Sequence, residues 1–268
     1  MYGIIIAFQD FNVFDGFLGS PFVGLKHFRL LFGSPYFYRI FRNTLLLGLF
    51  GLLWGFWPPI VLALLLNEVR SEGFKRTVQS VSYLPHFIST VIIVGMLFEF
   101  FASDGAVNQF LQSIGIPAQQ FFIDPKWFRT LYISSGIWQG VGWGSIIYLA
   151  SLAGIDVQLY EAAFAEGANR FQRMWHVTIP GILPAIIILF ILNVRTIVTV
   201  GFEKVYLMYN PAIYETADVI STYVYRRGIL NADYSYSTAV GLFSAVISFM
   251  IILAVNTMAR KLGEISLW

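Results

Sequence analysis

The sequence predicts an all-α integral membrane protein, and two observations carry that expectation. Hydrophobic residues make up 57% of the 268 positions and charged residues only 12%, with a mean hydropathy of +0.69. A soluble domain carries about 25% charged residues, so this chain lacks the polar side chains to cover itself in water. Apolar stretches also recur at lengths near the roughly 20 residues that a helix needs to cross a hydrocarbon core of about 30 Å.

Composition also excludes several kinds of chemistry. There is no cysteine, which removes disulfides, thiolate metal sites and cysteine nucleophiles. The three histidines lie far apart, against a His-based metal site. A formal net charge of +2 argues against a nucleic-acid partner.

Taken in order, residues 1–8 are too short to span, and read as an interfacial piece or the end of a longer span. Residues 9–42 mix aromatic and polar side chains around Gly16, Gly19, Pro21 and Pro35, which are turn signals. The stretch 43–66 holds no charge and is the first full span, with Pro58 and Pro59 predicting a kink midway. A short charged loop over 68–76 leads to a second span at 81–98, interrupted early by Pro85 and His86. The third span is 130–155, where Gly136, Gly140, Gly142 and Gly144 allow close helix approach. The fourth is 181–200, a long polar loop fills 201–237, and the fifth span is 238–258. Lys and Arg are denser on the side that carries 68–76 and 156–180, although fewer in absolute number, which gives weak support for a cytoplasmic face there.

The stretch 156–184, DVQLYEAAFAEGANRFQRMWHVTIPGILP, is the most structured of the connecting segments. Asp156 is placed to cap a helix start, and Gly167 to end that helix in a left-handed conformation. A second short helix carries Phe171 and Trp175 on one face before Pro180 and Pro184 break into the next span. Ala163 and Gly167, four apart, make a small flat patch flanked by Glu161 and Glu166, open either to another protein or to the chain's own neighbours.

Arg195 falls well inside the fourth span, where a charge marks a pathway or a buried pair. It reads either as a polar donor lining a pathway, or as the structural partner of Glu99 or Glu203 or a contact to headgroups. Asn193 is able to join either role. Trp138, Trp143 and Tyr148 offer aromatic faces to such a pathway, with interfacial anchoring and packing as the alternative. His86 reads as a donor to a backbone carbonyl. Glu161 and Glu166 point to different faces and do not form a glycosidase-like pair. The 206–229 loop, with Glu215, Asp218, Arg226 and Arg227, either meets an external protein or is a solvated face.

Within 156–184, Glu161, Ala162, Ala163, then Gly167, Val177, Ile179 and Pro180 follow a demanding spacing. That pattern resembles the EAA loop of permease subunits in type I binding-protein-dependent ABC importers. It departs from the usual form with Val177 for Ile, Ile179 for Leu and Glu166 for Asp. The stretches NEVRSEGFKRTVQSVSYLPHFIS, GVGWGSIIYLASLAGID, GFEKVYLMYNP and ADVISTYVYRRGI resemble the oligosaccharide and polysaccharide branch of that family.

The resemblance implies a single transmembrane domain over 1–268 with the six-helix importer fold, its first helix only partly present in this chain. It implies a multi-pass protein of the bacterial cytoplasmic (inner) membrane, without ATPase activity of its own. The 156–180 segment becomes a cytoplasmic coupling loop, in which Glu161, Ala162, Ala163 and Gly167 dock an ATPase. The implied partners are a second homologous permease, two ATPase subunits that bind ATP and Mg, an external solute-binding protein and membrane lipid. The implied cargo is an oligosaccharide or polysaccharide fragment such as alginate. Arg195, Asn193, Trp138 and Trp143 are the candidates for its pathway. The chain itself holds no GxxxxGK[ST] phosphate loop and needs no cofactor. The alternative from another class is a membrane-embedded enzyme acting on lipid-linked sugar.

Overall fold

The computed structural model describes residues 2–263, and the described residues are mostly helical, with one isolated bridge between Gln9 and Phe22. The main helices are α1 (Phe37–Gly55), α2 (Trp57–Glu68), α3 (Glu72–Tyr83), α4 (Thr90–Phe100) and α5 (Pro125–Ala153). They are followed by α6 (Val157–Ala165), α7 (Arg170–Arg173), α8 (Ile179–Val194), α9 (Phe202–Met208) and α10 (Tyr234–Gly263). Three helical runs are long and apolar enough to cross a membrane, Phe37–Glu68, Arg170–Ile197 and Tyr234–Met258, and up to five if two bent pairs each count as one span. Large apolar side chains such as Trp54, Leu65 and Phe249 are exposed along these runs. In water that surface would drive aggregation, whereas lipid chains solvate it.

The chain divides into two compact units. The first takes residues 1–50, 89–133 and 195–251. Its core packs Leu47 of α1, Val94 of α4, Phe128 and Leu131 of α5 and Val205 and Met208 of α9. A second cluster packs Leu31 and Ile40 against Tyr223, Tyr236 and Val240. Where no water reaches, buried polar groups need internal partners, and α1 supplies them. Asn43, fully buried, donates to the carbonyls of Glu215 and Asp218 at 2.8 and 3.1 Å. Thr44 Oγ1 accepts from the Ile220 backbone N–H at 2.9 Å. The helix runs so close to Ile197 that a Cβ on Gly48 would strike its backbone carbonyl.

The second unit takes residues 51–88, 134–194 and 252–268. Small residues set its contacts, as expected where packing rather than hydrophobic burial holds helices together. A Cβ on Gly142 would collide with the Ser82 carbonyl, and one on Gly181 would meet Ile155 Cδ1 at 2.7 Å. Phe56 and Phe190 meet edge to face at 5.2 Å.

Three expectations need correction. The 68–76 stretch is not a loop throughout: only 69–71 lie outside helix, because Ser71 accepts from Phe74 N and starts α3. The interruption expected early in 81–98 is present, since α3 ends at Tyr83, a tight turn over Leu84–Phe87 follows, and Ser89 caps α4. Pro85 lacks the N–H that a continuous helix requires there. The second helix of the 156–184 stretch does not end at its prolines. It passes through a π-helical turn, Met174–Thr178, directly into α8, with Pro184 inside that helix. The 201–237 stretch is folded rather than a polar loop, since Val205, Ile213, Ala217 and Val219 are buried. The predicted break at Pro58 and Pro59 is present, with α1 ending at Gly55 and α2 restarting with proline in its first turn.

Candidate functional site

The 156–184 stretch is built by local signals. Asp156 Oδ1 accepts from Gln158 N at 2.9 Å and caps α6. The helix closes with Ala168 N donating to Ala163 O at 2.9 Å, across Gly167 at φ +81°. That six-to-one bond is the Schellman arrangement, which the left-handed glycine makes possible. Asn169 and Gln172 then exchange reciprocal side-chain to backbone bonds of 2.9 and 2.8 Å, a capping box that starts α7. Tyr160 Oη donates to Thr178 Oγ1 at 3.1 Å and fastens α6 to the π-turn.

Between the two helices lies a hollow of about 470 Å³, lined by Ala162, Ala163, Glu166, Gly167, Gln172 and His176 among others. Three of the four sequence-predicted docking residues therefore share one surface. Glu161 is exposed and lies outside the hollow's lining. Phe164, Phe171 and Trp175 are also exposed around this stretch, and Arg173 lies over the Phe164 ring at 5.9 Å. α6 turns from α5 by 70°.

The pathway candidates fall in both units. Arg195 belongs to the first unit, in a 3₁₀ turn after α8, and is exposed; among the described residues it makes no ion pair with Glu99 or Glu203. Asn193 belongs to the second unit, where its amide donates to the Leu189 carbonyl at 2.8 Å. Trp138 and Trp143 are about half exposed. Trp143 already has a parallel partner in His86, with ring centres 4.5 Å apart, so His86 stacks rather than serving a carbonyl. No group of three His, Cys, Asp or Glu side chains suited to a metal occurs among the described residues. Tyr148 is buried and offers no face to a sugar.

The 206–229 segment is not a solvated face either. Asp218 is fully buried and takes both Arg226 guanidinium nitrogens, at 3.0 and 2.7 Å, plus Thr222 Oγ1 at 2.9 Å. The Arg226 guanidinium also stacks over Tyr214 at 4.7 Å.

Sequence reasoning missed a cavity of about 510 Å³ in the first unit, lined by Thr44, Thr199, Ser221, Ser244 and Ser248 together with Phe202 and Tyr225. Its lining is mainly apolar, with Val198, Val200, Ile220, Val224 and Ile229, and the Thr44, Thr199 and Ser248 hydroxyls already donate to backbone carbonyls. From Phe202 the rings continue, with Tyr206 at 5.1 Å and Tyr209 a further 5.6 Å on. The spacing of Phe202 and Tyr206 on α9 and Tyr209 just past its end was the available signal. Lys204, on the same helix, donates to the Tyr132 carbonyl at 3.1 Å, and burial pushes its ammonium down to about 8.

Comparison with known proteins follows this geometry. Residues 49–263 match the family described as "Binding-protein-dependent transport system inner membrane component". The chain is 46% identical over 265 residues to the polygalacturonan/rhamnogalacturonan transport system permease protein YteP of Bacillus subtilis (strain 168), covering 98% of this chain and 83% of that protein. Among solved structures it is similar to a bacterial ABC transporter involved in the import of the acidic polysaccharide alginate. There the TM-score is 0.91 at 44% identity, over 97% of this chain and 88% of the other. A second similar structure is a bacterial alginate ABC transporter in complex with alginate pentasaccharide-bound periplasmic protein. It gives a TM-score of 0.88 at 45% identity, over 91% and 85% of the two chains.

Proposed function

The chain belongs to the binding-protein-dependent transport system inner membrane components, and from that premise we propose that it is the permease subunit of an ATP-driven importer for oligosaccharides or polysaccharide fragments. It is a transport component rather than an enzyme, and its family sets aside the alternative of an enzyme acting on lipid-linked sugar. The sugar cargo rests on the identity to a polygalacturonan/rhamnogalacturonan permease and to an alginate transporter. Alginate itself, or another acidic saccharide, is the finer reading of that similarity. The protein sits in the inner membrane of a bacterium, beside a second homologous permease that forms the other half of the pathway. Its remaining partners are two ATPases, which bind the ATP and Mg, and a binding protein that delivers the sugar.

The observation that carries the coupling mechanism is the hollow at Ala162, Ala163 and Gly167. Small side chains there admit a partner's surface closely, and Tyr160 and Thr178 pass its displacement to the helix that becomes α8. Closure of the ATPase dimer would drive this element, and the permease pair would rock between inward-open and outward-open states. Glu161 supplies a carboxylate beside the hollow for a basic group of the ATPase. Arg195, Asn193, Trp138 and Trp143 are proposed to contact the sugar on its way.

The test is reconstitution with the partner subunits, followed by uptake of neutral and acidic oligosaccharides. Gly167→Arg should insert in the membrane but fail to retain the ATPase on purification. A Gly167→Arg complex that still couples ATP hydrolysis to uptake would overturn the docking reading. Arg195→Ala should lower uptake while the ATPase stays bound.

A further inference from the structure

One group of charges is left unbalanced by the folding of the first unit. α1 carries Arg39 and Arg42 in its first two turns, and α5 carries Arg129 near its start. Arg129 Nη2 donates to Asn43 Oδ1 at 3.1 Å, which puts its guanidinium beside the residue next to Arg42. Arg42 and Glu215 are the charged groups that act on Arg129. Arg39 stands 3.7 Å from Asp218, whose two oxygens Arg226 already holds. Glu215 is exposed and makes no ion pair among the described residues. Four guanidiniums thus surround two carboxylates, one of them already taken.

The surplus falls on Arg42 and Arg129. Among the described residues the Arg42 side chain makes no hydrogen bond or ion pair, and the Nε atoms of both arginines are buried without a partner. Like charges held together in a partly desolvated place repel more strongly than in water, and an anion between them removes that cost. A planar guanidinium fork pairs best with a carboxylate. Their level in the membrane follows from α5, along which the rise from Arg129 to Ala153 is about 36 Å. That exceeds the hydrocarbon core, so a span along α5 puts Arg129, near its start, at one of the two membrane faces.

We propose that Arg42 and Arg129 form an entry site for a carboxylate of the transported saccharide, so that an acidic chain is threaded inward with a uronate group between the two guanidiniums. The site rests on the sugar-importer reading and names the class of sugar, one with carboxylates. Neutral chains leave the pair unneutralised and gain nothing from it. Glu215 serves as the resident counter-ion, close enough to act on Arg129 yet outside ion-pair range, so an incoming carboxylate finds donors available.

The experiment uses the full importer complex in proteoliposomes, with oligogalacturonate and a neutral galacto-oligosaccharide of equal length as probes. Arg42→Gln should raise the half-saturating concentration for oligogalacturonate about tenfold, the worth of one charge-assisted bond. Uptake of the neutral probe should be unchanged, and Arg42→Lys should recover part of the loss. Size-exclusion should show an intact complex, since the Arg42 side chain bonds to no other described residue, and Arg129→Gln should repeat the pattern. An equal effect on both probes, or none on either, overturns the proposal. So does a wild type that imports only the neutral probe. If Arg42→Gln instead abolishes a dependence of both activities on added phosphatidylglycerol, the pair holds lipid phosphate and the proposal fails. A wild type that imports no saccharide at all refutes the importer reading itself.

Discussion

The Tyr160 hydroxyl donates to Thr178 Oγ1 at 3.1 Å, joining the helix that carries the small-residue hollow to the π-helical turn that enters α8. Thr178 is itself buried and lies 3.4 Å from the Arg173 carbonyl. The bond therefore spans the Gly167 turn and links the two helices.

Tyr160→Phe keeps the ring and removes that bond. A single neutral hydrogen bond contributes about 0.5–1.5 kcal/mol net, so assembly should survive. Uptake per ATP hydrolysed should fall severalfold in proteoliposomes, while ATPase activity is retained. Unchanged coupling in this variant would show that the joint is not mechanical.

Asp218→Asn tests the buried ion pair. Burial opposes the charge on Arg226, yet its hydrogen bonds to Asp218 and Tyr209 and the nearby Asp218 charge together more than offset it and hold the guanidinium above its ordinary pKa. Removing the carboxylate leaves a cation with no counter-charge, at a cost of about 3–5 kcal/mol. The expected outcome is a clear drop in the thermal midpoint of the purified complex, larger than that for Asp124→Asn at an exposed pair.

Lys204 predicts a pH dependence. Its folded pKa of about 8 lies below the ordinary lysine value, so between the two the unfolded chain binds a proton that the folded chain does not. Stability from this group therefore rises with pH across that window, and is flat below pH 8 where both states are protonated. At pH 9.5 the gain is on the order of 2 kcal/mol. Lys204→Met should abolish the increment, read as the difference between melts at pH 7.5 and 9.5. An identical pH response in both proteins would count against it.

The sequence by itself determined the membrane class, the approximate apolar runs and the 156–184 element, because those depend on signals within a few residues of one another. Asp156 caps α6 through Gln158, and Gly167 turns left-handed to close it. The break within 81–98 was legible too, since Pro85 marks it. Hydropathy gave no sign that α3 already begins at Glu72, inside the charged 68–76 stretch. Only the tertiary structure decided that 201–237 folds inward, since Asn43 finds its partners at Glu215 and Asp218, more than 170 positions away. The same long-range pairing brought Arg129 to Asn43 and left Arg42 without a counter-charge. No local pattern encodes such a surplus, because charge balance in a low-dielectric interior is a property of the whole assembly of helices.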